Sequence, residues 1–488
     1  AAVALLSAGS FTLQAQAAAP RSKVVLVCSG TAGCPTTPAG TPVYKSIAVG
    51  VSHAENGDWV MVWPGYYRES VSVQPGKGLS DGLHIRGMQR NGVVLDGTKA
   101  PGSGIHVQGV NNTWVENMTG QHYKSGSANA FYWTGVDGYW GNYLTAYDNG
   151  DYGVYAYDST SSGKTPSTFA FDYGSWNADS GIYVGGCSDC HAVVTNSRAY
   201  KNALGYSGTN AGGELYLINS EWDHNATGLL PNTLTSEPDP PQRGTTIADN
   251  YIHDNNDHDV PGTGITGIAP VGVGIGLTGG WDNIVRNNVI SNQKHSGVLI
   301  EWLFTPAVNN QVVYNTFSNV GTSGSPGDAD IQIGALTFGN CIDHNVHLAG
   351  GKKTAATVDP PNPVGLSNCG NSNPGRSGIG RGVYSPGDPI VDVMTALNAA
   401  GITEPKNFKG PGARRISTVR ATSPICTRTA CTRPPWTVPS EVVVTAGSPV
   451  LGRPACTALP PPAAASPPRC RASDRGGRHA ARPRRCPA

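Results

Sequence analysis

Apolar residues in this chain come in short runs, several of which begin on a glycine. Gly104 opens GIHV, Gly153 opens GVYAY, Gly181 opens GIYV, Gly228 opens GLLP and Gly297 opens GVLIEW. The runs are too short for helices, and the residues between them lack a 3.6-residue apolar period, so the pattern predicts short strands joined by turns. The turns carry a second regularity. Asn196, Asn202 and Gly205 are answered by Asn219, Asn225 and Gly228, each 23 residues further on. Candidate turn asparagines fall at Asn117, Asn142, Asn196, Asn219, Asn250, Asn288, Asn315 and Asn345. In FAFDYGSWNADSG, from Phe169, the glycine stays and the turn Asn is replaced.

A unit of 23 to 31 residues with three short strands is one coil of a right-handed parallel β-helix. The expected fold is therefore an all-β solenoid of about ten coils, stacked about 4.8 Å apart. Asn suits the tight turn because it tolerates left-handed backbone angles, and stacked coils let one Asn bond to the next. The register also gives an expectation about charge. The residue two after the turn Asn is apolar at Leu144, Ile252, Ile290 and Phe317, so Arg198 and Glu221, at the same offset, should meet in the core as an ion pair.

The start of the repeats is also distinctive. NGDWVMVWPGYYRESVSV, from Asn56, followed by GLHIRGMQRNGVVLDG, from Gly82, resembles the opening of pectate-lyase-like β-helix proteins. The resemblance runs from Val43 to Asn345 and implies the fold. It also implies carbohydrate chemistry as the commonest outcome, in a superfamily that also holds tailspikes and adhesins.

Composition agrees with a strand-and-turn protein: of 488 residues 64 are Gly, and only 14% are charged. A formal charge of +1 gives no field for nucleic acid, and no later apolar run approaches the length of a membrane span. Residues 1–19 read as the remainder of a secretory signal peptide, which points to a secreted protein. The β-helix is expected over 20–350 and a capping or irregular region over 351–452. Within that region DPIVDVMTALNAAGI, from Asp388, has helical spacing that suits a cap. A disordered Pro/Arg-rich tail is expected over 453–488. Among the eleven cysteines, Cys28 with Cys34, Cys187 with Cys190 and Cys426 with Cys431 are locally spaced pairs that suit disulfides. A zinc site at Cys187 and Cys190 lacks a second ligand pair.

In a β-helix one strand face per coil forms a groove. Counting two residues from the strand glycine puts His106, Tyr132, Tyr155, Tyr183, Ser207 and Leu230 on its outer face, with Ala130 standing in for the glycine before Tyr132. Tyrosine, with its apolar ring and polar tip, suits a polysaccharide, although it also stacks well in any sheet. Two longer polar loops, from Pro231 and from Asn255, interrupt the 23-residue rhythm, and insertions in solenoids gather on the binding face. They carry Glu237, Arg243, Asp257, His258 and Asp259, and the following coil adds Lys294, His295, Glu301 and Trp302.

Two chemistries fit these residues. A lyase or C5-epimerase acting on an acidic, uronic-acid polysaccharide needs a base, for which His258, His295, Lys294 and Arg243 are candidates. It also needs a cation against the substrate carboxylate, and Asp257 and Asp259 could supply oxygens for Ca²⁺. A glycoside hydrolase needs two carboxyl groups, for which Glu301 can pair with Asp257, Asp259 or Glu237. His106, Tyr132, Tyr155, Tyr183 and Trp302 are the substrate-binding candidates. His224, in EWDHN, lies on the repeat and is explained by it. The expected activity is lyase or C5-epimerase chemistry on an acidic polysaccharide; the alternatives are a non-catalytic glycan-binding or adhesion protein and a glycoside hydrolase with a carboxylate pair.

Overall fold

The computed structural model describes residues 23–30, 33–261, 270–363 and 365–369. The chain coils into a right-handed parallel β-helix of about 11 turns. Each turn contributes one strand to each of three long sheets, which contain 13, 12 and 11 strands among the described residues. The coil at the doubled sequence is representative: Ala192–Thr195 lies in the first sheet, Arg198–Tyr200 in the second and Leu204–Thr209 in the third. Each pairs in parallel with its counterpart 23 residues on, Leu215–Ile218, Glu221–Asp223 and Thr227–Asn232.

Side chains alternate in and out along these strands, and the inward ones stack into one continuous core. Trp133, Phe169, Tyr206, Trp222 and Phe317 are among its largest members, each under 2% exposed. The recurring glycine lies one residue inside its strand at Gly181, Gly205, Gly228 and Gly297, and immediately precedes it at Gly104 and Gly153. A Cβ on Gly205 would stand 2.4 Å from the Gly228 carbonyl oxygen and 2.9 Å from the Asn225 amide nitrogen. Only glycine lets the third sheet approach the corner this closely.

Asparagines organise the three corners. At the corner between the second and third sheets, Asn149, Asn177, Asn202, Asn225 and Asn255 pass amide-to-amide bonds of 2.8–3.1 Å from coil to coil. Gln242, Asn283, Asn310 and Asn340 do the same between the third sheet and the first. Between the first and second sheets the ladder differs from the expectation in one respect. The left-handed residue of that turn is Asn196, Asn219, Asp249, Asn287 or Tyr314, whereas the buried ladder is built by the residue after it. Ser197, Ser220, Asn250, Asn288, Asn315 and Asn345 form it, each backbone N–H donating to the side chain of the next. Asn196 and Asn219 bond to each other outside it. Where Asn is missing, aromatic rings take over the turn: Tyr143 and Phe171 hold left-handed backbone angles, with rings stacked 5.0 Å apart.

That one-residue offset corrects the expected core ion pair. Asn196 is equivalent to Asp249, so the core residues are Ala199, Trp222 and Ile252, while Arg198 and Glu221 face outward from the second sheet. Arg198 and Glu221 do lie opposite one another, 3.8 Å apart, but Arg198 forks onto Asp223 at 2.7 and 2.6 Å.

The first strand lies within the expected 20–350 span, and β-structure continues past its expected end. Val24–Val27 pairs with Trp59–Val62 at the start. Past Gly350, Lys352–Ala355 turns back antiparallel on Val346–Ala349, and Val358–Asp359 joins the third sheet. A five-residue helix, Ile47–Val51, is capped by Ser46 and by the Glu69 carboxylate, which accepts the N–H groups of Ile47 and Ala48. Cys28–Cys34 and Cys187–Cys190 are disulfides, which removes the zinc reading, and Cys341–Cys369 is a third that spacing did not suggest. The expected leader, the capping segment from Asp388, the pair Cys426–Cys431 and the Pro/Arg-rich tail lie outside the described residues.

Candidate functional site

The third sheet carries the longest strands, six residues in several coils, and its outer face is the groove. Strand pairing places His106, Tyr132, Tyr155, Tyr183, Ser207 and Leu230 in one column along it. Their rings meet face to face: His106 and Tyr132 are 4.3 Å apart and 6° from parallel, Tyr132 and Tyr155 are 4.4 Å and 16°. Faces spent on one another leave edges and hydroxyls toward a ligand. Tyr183 breaks the stack, edge-on to Tyr155 at 79°, and is only 2% exposed.

Around Tyr183 carboxyl groups and phenols converge on the groove face. Asp151 and Asp179 each lie two residues before a strand glycine and stack on adjacent coils, the Asp179 N–H donating to the Asp151 carbonyl at 3.0 Å. Tyr152, next to Asp151, packs on Tyr155 at 4.3 Å and against Tyr183 at 4.8 Å. From the opposite side, the loop after Thr227–Asn232 brings Glu237 to the Tyr183 hydroxyl, which donates to its carboxylate at 3.3 Å. One wall therefore holds two carboxyl groups and the other holds one, over a floor of phenols.

Burial in this aromatic setting shifts the acids. The Asp151 carboxyl is pushed up to about 6 by burial. Asp179 is pushed up to about 8, by burial first and then by the charge of Asp151. Glu237 is raised by burial as well. The phenols of Tyr152 and Tyr183 rise well above their ordinary value, through burial and neighbouring carboxylates, and so remain protonated. Asp179 is 3% exposed, and its Oδ1 has no hydrogen-bond partner. A pair of carboxyls that retains a proton at neutral pH, facing a third across a groove, can donate and accept protons at one substrate bond.

The residues expected from sequence are more dispersed. Arg243 braces its own loop, donating to the carbonyls of Asp239, Pro241 and Ser188. Asp257 pairs with Lys201 at 3.3 Å and accepts the Asp259 N–H at 2.9 Å, while His258, Asp259 and Lys294 are exposed. His295 lies 3.1 Å from Asp328. His295 and Glu301 flank opposite ends of the strand Ser296–Glu301, roughly 20 Å apart at about 3.3 Å per residue. Glu301 is raised by burial, and Trp302 is 48% exposed.

A second polar cluster lies on the second sheet. Asp223, His224 and His253 present ligand atoms within 4.8 Å of one another, a geometry open to a metal ion. The cluster already balances its charge, however. Arg198 occupies Asp223, and His253 has Asp254 at 2.7 Å on one ring nitrogen and Glu221 at 3.2 Å on the other. Burial works against the imidazolium, but these carboxylates outweigh it and push His253 up to about 9.

Asp151 and Asp179 escaped the sequence reading, although their signal is simple: the same acid recurs two places before Gly153 and Gly181, where the next two coils carry Ala203 and Ala226.

No family model matches the chain, and no curated protein matches it. Among solved structures it is similar to the A-module of a mannuronan C-5 epimerase from Azotobacter vinelandii, with 18% identity over 62% of this chain and 91% of that one and a TM-score of 0.41. An alginate lyase from a Paenibacillus species is 12% identical over 60% of this chain and 95% of its own, with a TM-score of 0.41. A pectate lyase is 13% identical over 69% and 79% of the two chains, with a TM-score of 0.30. At these values the likenesses carry no argument of their own, and the fold rests on the strand order: the chain is a right-handed parallel β-helix.

Proposed function

We propose that the protein cleaves a polysaccharide laid along the groove of the third sheet, by acid–base hydrolysis at the Asp151, Asp179 and Glu237 site. The supporting observation is the stacking of Asp151 and Asp179 on adjacent coils beside Tyr152 and Tyr183, with Glu237 bonded to the Tyr183 hydroxyl; burial keeps the proton of Asp179 at neutral pH. Asp151, the half-buried member, holds its proton below about pH 6 and there delivers it to the leaving glycosidic oxygen as its bond to the anomeric carbon breaks. Glu237 takes a proton from the water that adds to that carbon, and the two protons balance. The phenol of Tyr183, already bonded to Glu237, holds that carboxylate in place. Three disulfides suit an extracellular setting, and among the described residues no helix is long and apolar enough to cross a membrane.

The charges acting on this site are those of carboxyl groups, which disfavours a uronate substrate on its own. Lyase or epimerase chemistry on an acidic polymer would need a cation such as Ca²⁺ at the substrate carboxylate. Incubation with xylan, laminarin, alginate and polygalacturonate, with and without Ca²⁺, separates the readings. New reducing ends without unsaturated product support hydrolysis. Ca²⁺-dependent ultraviolet absorbance, or epimerised residues without cleavage, would replace it. The hydrolytic reading further requires Asp151→Asn and Glu237→Gln each to lower turnover at least 100-fold, the scale of lost acid or base catalysis.

A further inference from the structure

Among the described residues eleven large apolar side chains are substantially exposed, and six of them fall between residues 281 and 366: Trp281, Trp302, Phe304, Leu336, Phe338 and Leu366. Scattered exposure needs no explanation, but clustering does. These residues share the corner where the third sheet passes to the first. Trp281 bridges to Val308, which pairs with Phe338 on the next coil. The Trp302 N–H donates to the Ala335 carbonyl at 3.2 Å, which brings Leu336 alongside. Phe304 and Leu336 both hold left-handed backbone angles, φ 59° and 50°, while remaining 56% and 53% exposed. Such angles are costly for apolar residues, and here burial does not repay them.

The patch continues the groove. Glu301 ends the row Thr209, Asn232, Thr278 on the groove face, and Trp302 follows it directly. From the coil of Tyr183 to that of Leu299 there are four steps, about 19 Å along the axis at about 4.8 Å per coil. Unlike Tyr132 and Tyr155, whose faces are spent on each other, Trp302, Phe304 and Phe338 stand more or less half-exposed. An open aromatic ring beside a carboxylate fits the apolar face and hydroxyl rim of a sugar.

We infer that Trp281, Trp302, Phe304 and Phe338 form a distal saccharide-binding platform. It holds the polymer about four coils beyond the acid site and takes no part in bond cleavage. This rests on the reading of the groove as a polysaccharide site. The test uses the full chain carrying Asp151→Asn, so that retention is read without cleavage, in native gels cast with xylan, laminarin, alginate or polygalacturonate. Adding Trp302→Ala and Phe338→Ala should weaken retention at least fivefold, and Trp302→Phe should restore most of it. In the otherwise wild-type chain the same two alanines should raise KM for the polymer at least fivefold. Unchanged retention and KM, in a protein that still binds and cleaves polymer, would overturn the platform alone. A parent protein that neither binds nor cleaves any of the four polymers would overturn the groove reading and the platform with it.

Discussion

Replacing Asp179 by Asn should make the protein more stable and less active, and the gain should depend on pH. Asp179 is 3% exposed, and its folded value of about 8 compares with an ordinary value of 3.8. A folded-state value above the unfolded one contributes stability that is fully present below 3.8 and is lost as pH rises through 8. At 1.36 kcal/mol per unit, the loss reaches about 4 kcal/mol at pH 7 and about 6 kcal/mol above pH 8. Asn keeps the shape and cannot ionise, so Asp179→Asn should recover most of that loss near neutrality and almost none at pH 4. For a chain of this size the gain corresponds to a rise in Tm on the order of 5–10 °C at pH 7–8. Thermal melts of both proteins from pH 4 to pH 9 at fixed ionic strength read it. Hydrogen exchange in Ser180–Gly185 should accompany them, because long repeat arrays can unfold in segments. Parallel melting curves at every pH would refute the assignment of a buried, proton-retaining acid. A stabilised variant with full turnover would leave the acid buried but remove it from the proposed chemistry.

Three further outcomes follow from the scaffold. Asn225→Ala removes the acceptor of the Asn202 backbone and side-chain N–H groups and one donor each to the Asn255 side-chain oxygen and the Ala199 carbonyl in a buried corner, and should cost about 2–4 kcal/mol by chemical denaturation; a neutral result would remove the ladder's role. Arg198→Ala strands the fully buried Asp223 side chain and should cost about 3–5 kcal/mol, whereas a change under 1 kcal/mol would mean that His224 and His253 suffice. His253, raised to about 9, contributes stability that is complete below its ordinary 6.5 and lost as pH climbs through 9, about 3 kcal/mol in all. Imidazole NMR should place its titration well above 6.5 in the native protein, and His253→Gln should flatten stability over that window.

The solenoid and the tyrosine column were legible because both follow from repetition. Once Gly153, Gly181 and Gly205 are aligned, alternation fixes that Tyr155, Tyr183 and Ser207 face one way. The turn was harder to read, because Asn occupies two successive positions there. Asn196 and Asn219 take the left-handed angle, while Asn250, Asn288 and Asn315 sit one place later in the buried ladder. Treating both sets as equivalent moved Arg198 and Glu221 into the core. In a β-strand a one-residue slip exchanges faces, so a small misalignment became a large misplacement. The acid site was legible in part: the recurrence of Asp151 and Asp179 before their glycines is written in the sequence. The reach of Glu237 back to Tyr183 depends on the path of a non-repeating loop, and no period records that.

The three corner ladders also act as a ruler. Because coils advance in fixed steps of about 4.8 Å, groups on different coils can be moved along the axis only by whole rungs. The loop bearing Glu237 springs from the coil of Thr227–Asn232, two rungs beyond the coil of Tyr183. Excising one 23-residue repeat between them would let the ladders close again on Asn partners while bringing that wall one rung nearer the aspartate pair. A chain built this way can respace its groove by gaining or losing a coil, without redesigning any strand.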